Sequence, residues 1–444
     1  MTASDTIYAL SSGKGRSAVV IMRISGCQTS ALLGSIAGNL PPPRRLTLRT
    51  LKDSSTGELL DKAMVVWLPG PGSFTGEDCA ELHLHGSPAI LSAVMELLAK
   101  WPGARPAEPG EFTQRAFLNG KMDLVEIEGL ADLLEARTAA QRRQAFRQMS
   151  GQASSVFESW RQQLLEIRAS IEAVVDFAEE PGVAETAAPQ IDRSIRALHQ
   201  AILDEVGRSA GSELLRDGFR VVLAGHPNTG KSSLLNALSR REAAIVSDMP
   251  GTTRDAIDVT LDLNGVPVIV TDTAGLRSDG ADAVEREGMR RSRRHISGAD
   301  LVVWVWSADV AGSDVPDSSI RPDLLVQNKS DLAEESGLTR NDHAAILTSC
   351  RTREGLDQLL NAVQRLLKDR YGDAESALFV SARQKLTAER SIRLLNDALD
   401  IGPDQPELKA ESIRRATDEV ARLTGKVDVE EWLGAIFSRF CIGK

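Results

Sequence analysis

The 444-residue sequence has only four cysteines and no long hydrophobic run, and each lack excludes a class of protein. The cysteines are scattered without Cys-x-x-Cys spacing, which argues against a zinc ribbon and against a disulfide framework. No apolar stretch approaches the roughly 18 residues that a membrane span needs, and the first residues lack the basic start and apolar core of a signal peptide. We therefore expect a cytoplasmic protein that does not associate with membranes.

The sequence also lacks an excess of basic residues. Its formal net charge is −10 and its isoelectric point is near 5.3. The molecule as a whole therefore does not attract nucleic acid, and any contact with RNA must use a local basic surface. The 42% apolar content and the length predict about three folded domains.

A glycine-rich loop is the strongest motif that is present. Residues 225–232 read Gly-His-Pro-Asn-Thr-Gly-Lys-Ser, directly after the apolar run 219–224 and directly before a helical pattern. Glycines allow successive backbone N–H groups to face a phosphate chain, Lys231 can reach the β- and γ-phosphate oxygens, and the Ser232 hydroxyl can ligate Mg²⁺. The segment predicts a phosphate-binding loop whose nucleotide contacts are Asn228, Thr229, Gly230, Lys231, Ser232 and Ser233.

Two later apolar runs end in motifs that indicate a guanine nucleotide. The run 268–271 ends in Asp272-Thr273-Ala274-Gly275, where the Asp can hold the water shell of Mg²⁺ and the Gly N–H can meet the γ-phosphate. The run 323–327 delivers Asn328-Lys329-Ser330-Asp331 at a strand end, where open α/β sheets bind ligands. A carboxylate at Asp331 can accept hydrogen bonds from the ring N–H and amino group of guanine, a donor pair that adenine lacks. Any one tetrapeptide could be an ordinary turn, but three in order after strands favour a GTPase.

The glutamine that orients the attacking water in many regulatory GTPases is absent. Leu276 follows Gly275 at that point. Another group must position the water, and we suggest Glu285 together with a cation near Asn228. The alternative for Glu285 is a solvated charge on a helix.

The pattern of apolar residues predicts three domains. Up to residue 120 the chain is rich in strands, such as 18–24 and 63–68; long helical patterns begin near residue 123 and resume after the nucleotide motifs. We predict an N-terminal domain at 1–120, a helical domain made of 121–217 and 372–444, and a nucleotide-binding domain at 218–371 inserted in it. Residues 181–189, which contain Pro181, Gly182 and Pro189, are predicted to form a loop between helices.

Four further motifs, at both ends of the chain, carry a family resemblance. They are Arg23-Ile24-Ser25-Gly26, the run 73–78 (Ser-Phe-Thr-Gly-Glu-Asp), the run 109–121 that begins Pro-Gly-Glu-Phe-Thr, and Phe440-Cys441-Ile442-Gly443-Lys444. With the nucleotide motifs they make the chain resemble the MnmE (TrmE) family of tRNA modification GTPases. The resemblance implies a multidomain fold of α/β plus all-α type. It would contain a β-rich, folate-binding-like N-terminal domain, a helical domain, and a Ras-like P-loop GTPase domain of the TrmE-Era branch inserted in the helical domain.

The resemblance implies the remaining residues of the GTP site. On the side of the first switch they are Ser247, Asp248, Met249, Pro250, Gly251, Thr252 and Thr253; on the γ-phosphate side Asp272, Thr273, Ala274 and Gly275; on the base side Asn328, Lys329, Ser330, Asp331, Ser349, Cys350 and Arg351. Cys350 stands where the family usually has Ala, and Ser247 where it more often has Thr. K⁺ would be held by Asn228, Ser247, Met249 and Thr252, and Mg²⁺ by Ser232 and Thr253. The residues with catalytic roles would be Glu285, Lys231 and Asn228.

For the N-terminal domain the resemblance implies a 5-formyltetrahydrofolate-type cofactor and dimerisation. The matching folate positions are Arg23, Glu81, Lys121 and Lys444, for which surface ion pairs are the alternative on sequence alone. A homodimer would act with the FAD-containing protein MnmG (GidA), in a heterotetramer or larger complex, and with tRNA. Together they would add an aminomethyl or carboxymethylaminomethyl group to C5 of a wobble uridine. Cys441 is a candidate nucleophile toward uridine C6. The alternative is that a thiol is simply tolerated at this position.

Two other functions stay open at this point. A ribosome-assembly or regulatory switch GTPase would share the nucleotide motifs, but such proteins usually carry a second GTPase unit or a compact RNA-binding appendage. A folate-dependent aminomethyltransferase alone does not explain the GTPase motifs.

Overall fold

The structure is a computed structural model. It describes residues 5–13, 15–177, 183–241, 244–245, 258–272, 295–310, 312–314, 316, 320–335, 345–371, 377–427 and 430–444. The chain divides into two compact units. The first comprises residues 1–131, 147–191 and 397–444, and the second comprises residues 132–146 and 192–396.

A six-stranded sheet forms the centre of the first unit. Its strands lie in the order β3-β4-β5-β2-β1-β6, and all neighbours are antiparallel except β1 and β6. The strands are β1 (Thr6–Leu10), β2 (Ser17–Ser25), β3 (Thr47–Lys52), β4 (Leu59–Leu68), β5 (Cys79–Gly86) and β6 (Ala104–Pro106). The predicted strands at 18–24 and 63–68 are thus confirmed within β2 and β4.

The helices account for most of the remaining described residues. In chain order they are α1 (Thr29–Ala37), α2 (Pro88–Ala99), α3 (Glu111–Leu118), α4 (Leu124–Glu135), α5 (Ala139–Met149), α6 (Gln152–Asp176), α7 (Val183–Arg208), α8 (Ser212–Asp217), α9 (Lys231–Ser239), α10 (Ser330–Glu335), α11 (Leu356–Tyr371), α12 (Ala382–Asp400), α13 (Pro406–Thr424) and α14 (Glu430–Phe437). Within the described ranges, no helix combines the length and apolar character needed to cross a bilayer.

Helical periodicity explains how the long helices pack. Along α6 the side chains of Leu164, Ile167, Ile171 and Val174 are buried, three or four residues apart, and this face packs against α13. The predicted loop at 181–189 is wrong, because α7 begins at Val183 and contains Pro189. A proline removes one backbone hydrogen bond, and the neighbouring alanines favour helix enough to continue it.

A seven-stranded sheet forms the centre of the second unit. The order is β13-β12-β11-β7-β10-β9-β8, in which the first five strands run parallel and β9 and β8 are antiparallel to their neighbours. The strands are β7 (Phe219–Ala224), β8 (Ala244–Ile245), β9 (Asp258–Leu263), β10 (Val266–Asp272), β11 (Leu301–Ser307), β12 (Leu324–Asn328) and β13 (Ile346–Leu347). Every residue of β11 is buried, as expected for a parallel strand covered on both faces. The carboxyl ends of β7, β10, β11 and β12 therefore meet along one edge, where the sequence motifs follow.

Candidate functional site

The glycine-rich loop joins the end of β7 to the start of α9. Gly225 has a φ of +143°, and a Cβ there would lie 2.1 Å from the carbonyl oxygen of Val305, so the position requires glycine. Asn228, at φ +65°, and Gly230, at φ +88°, also adopt left-handed backbone conformations. A loop curled in this way at the start of a helix presents backbone N–H groups to an anion.

Asn328 and Lys329 hold the loop from the end of β12. The Asn328 side-chain amide donates to the carbonyl oxygens of Thr229, at 3.0 Å, and Gly230, at 3.3 Å. The Lys329 ammonium donates to the carbonyl oxygen of Asn228 at 2.9 Å. Three consecutive loop carbonyls are therefore bound by Asn328 and Lys329. A Cβ on Gly230 would lie 2.2 Å from Asn328 Nδ2, so this contact also requires glycine.

Ser232 and Asp272 form the part of the site that suits a divalent cation. Asp272 ends β10, which lies beside β7 in parallel register, and its Oδ2 accepts a hydrogen bond from Ser232 Oγ at 2.5 Å. A hydroxyl and a carboxylate are oxygen donors of the kind that Mg²⁺ takes, so the residues present fit the predicted ion. The buried Lys231 donates to the loop carbonyls of Gly225, at 2.9 Å, and His226, at 2.8 Å.

The base-side carboxylate is held by two neighbours. Asp331 Oδ1 accepts from Ser349 Oγ at 2.7 Å, and Asp331 Oδ2 pairs with Arg351 Nε at 2.9 Å. A carboxylate held at both oxygens has a defined orientation, and its remaining lone pairs can accept further hydrogen bonds. The predicted base-side residues thus come together in the structure.

Cys350, which departs from the usual family residue, makes a local contact. Its Sγ donates to Asn328 Oδ1 at 3.4 Å, and Thr348 Oγ1 donates to the same oxygen at 3.4 Å. Burial raises the pKa of the Cys350 thiol, and the nearby Asp331 carboxylate raises it further. The thiol stays protonated and serves as a weak donor that helps orient the Asn328 amide.

Several predicted residues of the GTP site lie outside the described residues. They are Ser247, Asp248, Met249, Pro250, Gly251, Thr252 and Thr253, together with Thr273, Ala274, Gly275 and Glu285. Ser233 is described and is exposed on the first turn of α9.

Arg23 and Glu81 form the centre of the predicted cofactor site in the first unit. They lie opposite each other on β2 and β5, and Arg23 Nη2 donates to Glu81 Oε1 at 2.9 Å. The other carboxylate oxygen of Glu81 lies 3.3 Å from His83 Nε2. The Arg23 guanidinium carbon is 5.7 Å from the ring centre of Phe74 and 5.8 Å from that of Phe112. The guanidinium thus lies near two aromatic rings, of which Phe74 is exposed and could stack with a flat heterocycle.

Lys121 and Lys444 belong to segments near this pair. Lys121 Nζ donates to the carbonyl oxygen of Pro71 at 3.0 Å, in the loop that also carries Phe74. Burial lowers the pKa of Lys444, and the positive charge of Arg23 lowers it further, which places the two cations within electrostatic reach. The donor set fits an anionic ligand with an amino-pyrimidine edge, because the carboxylate can read that edge and the cations suit carboxylates. Cys441 is exposed.

Comparison with known families and proteins identifies the chain. The model of the MnmE helical domain matches residues 124–441, and the model of the N-terminus of the GTP-binding protein TrmE matches residues 6–121. The tRNA modification GTPase MnmE of Methylobacterium sp. (strain 4-46) is 49% identical over 444 residues, which cover 99% of this chain and 100% of that protein. The chain belongs to the MnmE (TrmE) family.

Two other relatives span the same length. The tRNA modification GTPase MnmE of Methylobacterium radiotolerans is 46% identical over 448 residues, covering 100% of both chains. The mitochondrial 5-taurinomethyluridine-tRNA synthase subunit of Danio rerio is 41% identical over 467 residues, covering 99% of this chain and 93% of that protein. Membership of the MnmE family confirms the predicted resemblance, the predicted fold class and the prediction of a GTPase.

In both sites of this MnmE-family chain the structure shows side chains that the sequence patterns did not predict. His83 follows Glu81 by two residues on β5, so strand alternation alone places it on the same face. Phe112 comes from α3, whose contact with Arg23 has no sequence signal. Asp309, two residues beyond the end of β11, pairs with Lys329 at 2.7 Å.

Proposed function

We propose that this protein couples GTP hydrolysis to the modification of tRNA at C5 of the wobble uridine. The group added would be an aminomethyl or carboxymethylaminomethyl group, with a folate supplying the one-carbon unit and an FAD-containing partner, MnmG, completing the reaction. Full-length similarity to tRNA modification GTPases and to a 5-taurinomethyluridine synthase subunit supports this proposal.

One observation carries this proposal over the ribosome-assembly alternative. Arg23, which pairs with Glu81, lies close to two aromatic rings and within electrostatic reach of Lys444. A GTPase that acts only as a switch needs no such second site. A carboxylate and several cations bordered by aromatic rings are the groups that a reduced folate would require.

In the GTP site, the residues predicted from the sequence have distinct proposed roles. Lys231 neutralises charge on the β- and γ-phosphates, and Ser232 and Thr253 hold Mg²⁺, with Asp272 on its water shell. Asp331 selects guanine, and Asn228 contributes its side chain to K⁺ together with Ser247, Met249 and Thr252. A cation there supplies positive charge where negative charge develops between the β- and γ-phosphates, and Glu285 orients the attacking water.

In the first unit, Glu81 reads the amino-pyrimidine edge of the folate, while Arg23, Lys121 and Lys444 bind its anionic groups. The protein acts as a homodimer and binds MnmG in a heterotetramer or larger assembly. We propose the domain limits 1–120, 121–217 with 372–444, and 218–371 for the N-terminal, helical and GTPase domains.

Nucleoside mass spectrometry of tRNA tests the proposed reaction. Cells that lack this protein should lose C5-substituted wobble uridines, and expression of the intact chain should restore them. A chain carrying Glu81→Gln should fail to restore the nucleoside while keeping its GTPase rate. Unchanged wobble nucleosides in the deletion strain would favour a switch GTPase instead.

The cation proposal has its own test. GTP hydrolysis should be much faster in potassium than in sodium, and Asn228→Ala should remove most of the difference. Equal rates in the two salts for the unmodified protein would contradict the K⁺ assignment without affecting the tRNA proposal.

A further inference from the structure

Asp309 lies at the edge of the nucleotide site but belongs to none of the sequence motifs from which that site was predicted. It follows β11 by two residues, so it sits at the same carboxyl edge of the sheet as the loop after β12. Its Oδ2 accepts a hydrogen bond from Lys329 Nζ at 2.7 Å. Its other carboxylate oxygen accepts one from the Ser307 hydroxyl, on its own strand end. The carboxylate is therefore fixed by β11 and directed at a residue of the guanine-recognition motif.

The same ammonium group reaches the phosphate-binding loop. Lys329 Nζ donates to the carbonyl oxygen of Asn228 at 2.9 Å, while the Lys329 backbone adopts a left-handed φ of +56°. A lysine side chain has many rotamers, and a second partner reduces the number that satisfy the first contact. Asp309 and the Asn228 carbonyl together define one position for the Lys329 ammonium.

We infer that Asp309 is a positioning residue of the guanine-nucleotide site, acting through Lys329. The carboxylate holds the ammonium on the Asn228 carbonyl and thereby joins the base-side loop to the phosphate loop. Asn228 is also the residue whose side chain we propose as a K⁺ ligand, so its backbone conformation matters to both halves of the site. The inference requires only that GTP binds here, and it is independent of the folate and tRNA chemistry.

The ion pair between Lys329 and Asp309 contributes a moderate free energy, because both side chains are partly exposed. The side chains of Lys329 and Asp309 keep 29% and 40% of their accessible surface. Exposed pairs of this kind change an equilibrium constant by up to about fivefold. Asp309→Asn should therefore raise the Kd of GDP by about two- to fivefold, chiefly through faster release.

A double-mutant cycle separates positioning from a general structural role. The full-length chain would carry Asp309→Asn, Lys329→Met, or both, and the Kd and release rate of a fluorescent GDP would be measured. We expect the double variant to bind no more weakly than Lys329→Met alone. Independent effects of the two substitutions, with the losses multiplying, would overturn the inference.

Two more variants sharpen the result. Asp309→Glu keeps the charge and should recover part of the lost affinity. Asp357→Asn removes another partly exposed ion pair of the same unit, the one with Arg241, and should leave the Kd unchanged. High salt should reduce the difference in the Kd of GDP between the unmodified chain and Asp309→Asn, because salt screens the ion pair. A Kd for Asp309→Asn equal to that of Asp357→Asn would also overturn the inference.

Discussion

Arg115 is buried among carboxylates, and its replacement by Met tests what holds the N-terminal sheet to α3. Arg115 keeps 4% of its side-chain surface and pairs with Asp5, Glu77 and Glu111 at 2.8, 3.2 and 3.0 Å. Arg105 pairs with two of the same acids, Asp5 and Glu111. Removing Arg115 would leave three carboxylates with one guanidinium between them.

The magnitude follows from this imbalance. Removing one partner of a buried ion pair costs about 3–5 kcal/mol, because the remaining charge stays buried without compensation. Met fills much of the volume of the Arg stem, so a cavity contributes little to the change. The free energy that protects the strands around Asp5 should fall by that amount. Amide protection there should drop by between about two and three and a half powers of ten.

Hydrogen exchange followed by mass spectrometry measures this change locally. Peptides that cover β1 and α3 should lose protection in Arg115→Met, while peptides from β7 and β11 in the second unit should not change. The matched control is Arg168→Met, which breaks an exposed pair with Glu172 and should cost less than about 1 kcal/mol. Equal protection of β1 in the two variants would refute the reasoning.

Acid should weaken the same network. Burial alone would raise the pKa of Asp5 and Glu111, but hydrogen bonds and charge from Arg105 and Arg115 outweigh it and hold both pKa values below 3.8 and 4.5, respectively. Such carboxyls contribute stability that is present above their unfolded pKa and is lost as the pH falls through the folded value. The free energy of unfolding of the first unit, measured with urea, should therefore fall below pH 4.5. The loss should be shallower in Arg115→Met, where both pKa values move back toward ordinary ones.

Three further predictions concern the two sites. Gly230→Ala should weaken GDP binding, measured by calorimetry, by about 30- to 1,000-fold. An alanine in the left-handed conformation costs about 1–2 kcal/mol. Its Cβ would also displace the Asn328 amide from the two loop carbonyls that it binds. Lys444→Met should weaken binding of a reduced folate; in the unmodified chain that binding should decline as the pH rises toward 10.5, since the pKa of Lys444 is lowered. Cys441→Ser should abolish tRNA modification in a complementation assay if the thiol is the nucleophile, and normal modification would remove that hypothesis.

The nucleotide motifs were predictable because each is local. A buried strand followed by Asp272 or by the Asn328–Asp331 segment can be recognised from neighbouring residues, and parallel strands bring such ends to one edge. The hydrogen bonds from Asn328 to the carbonyls of the phosphate-binding loop were not predictable. Asn328 Nδ2 and the carbonyl of Gly230 are 98 residues apart in the chain, and no pattern in either segment specifies the partner.

The loop predicted at residues 181–189 shows the opposite limitation. Pro181, Gly182 and Pro189 are individually turn signals, yet α7 begins at Val183 and passes through Pro189. A proline near the start of a helix loses one backbone hydrogen bond, while the packing of the apolar face farther along, at residues such as Ile195, stabilises the whole element. The local turn signals failed because burial of the apolar face stabilises the helix by more than the proline destabilises it.

The last residues of the sequence show how a backbone constraint can serve a binding site. Gly443 has a φ of +103°, and a Cβ there would lie 2.2 Å from the carbonyl oxygen of Leu10, while its own carbonyl accepts a hydrogen bond from Ser11 Oγ at 2.9 Å. At this position burial lowers the pKa of Lys444, and the positive charge of Arg23 lowers it further. Two cations held near each other raise the free energy of the site, and an anion between them would relieve the repulsion. The glycine therefore belongs to the proposed cofactor site as much as the lysine does, since a side chain at 443 would move the ammonium without changing any charge.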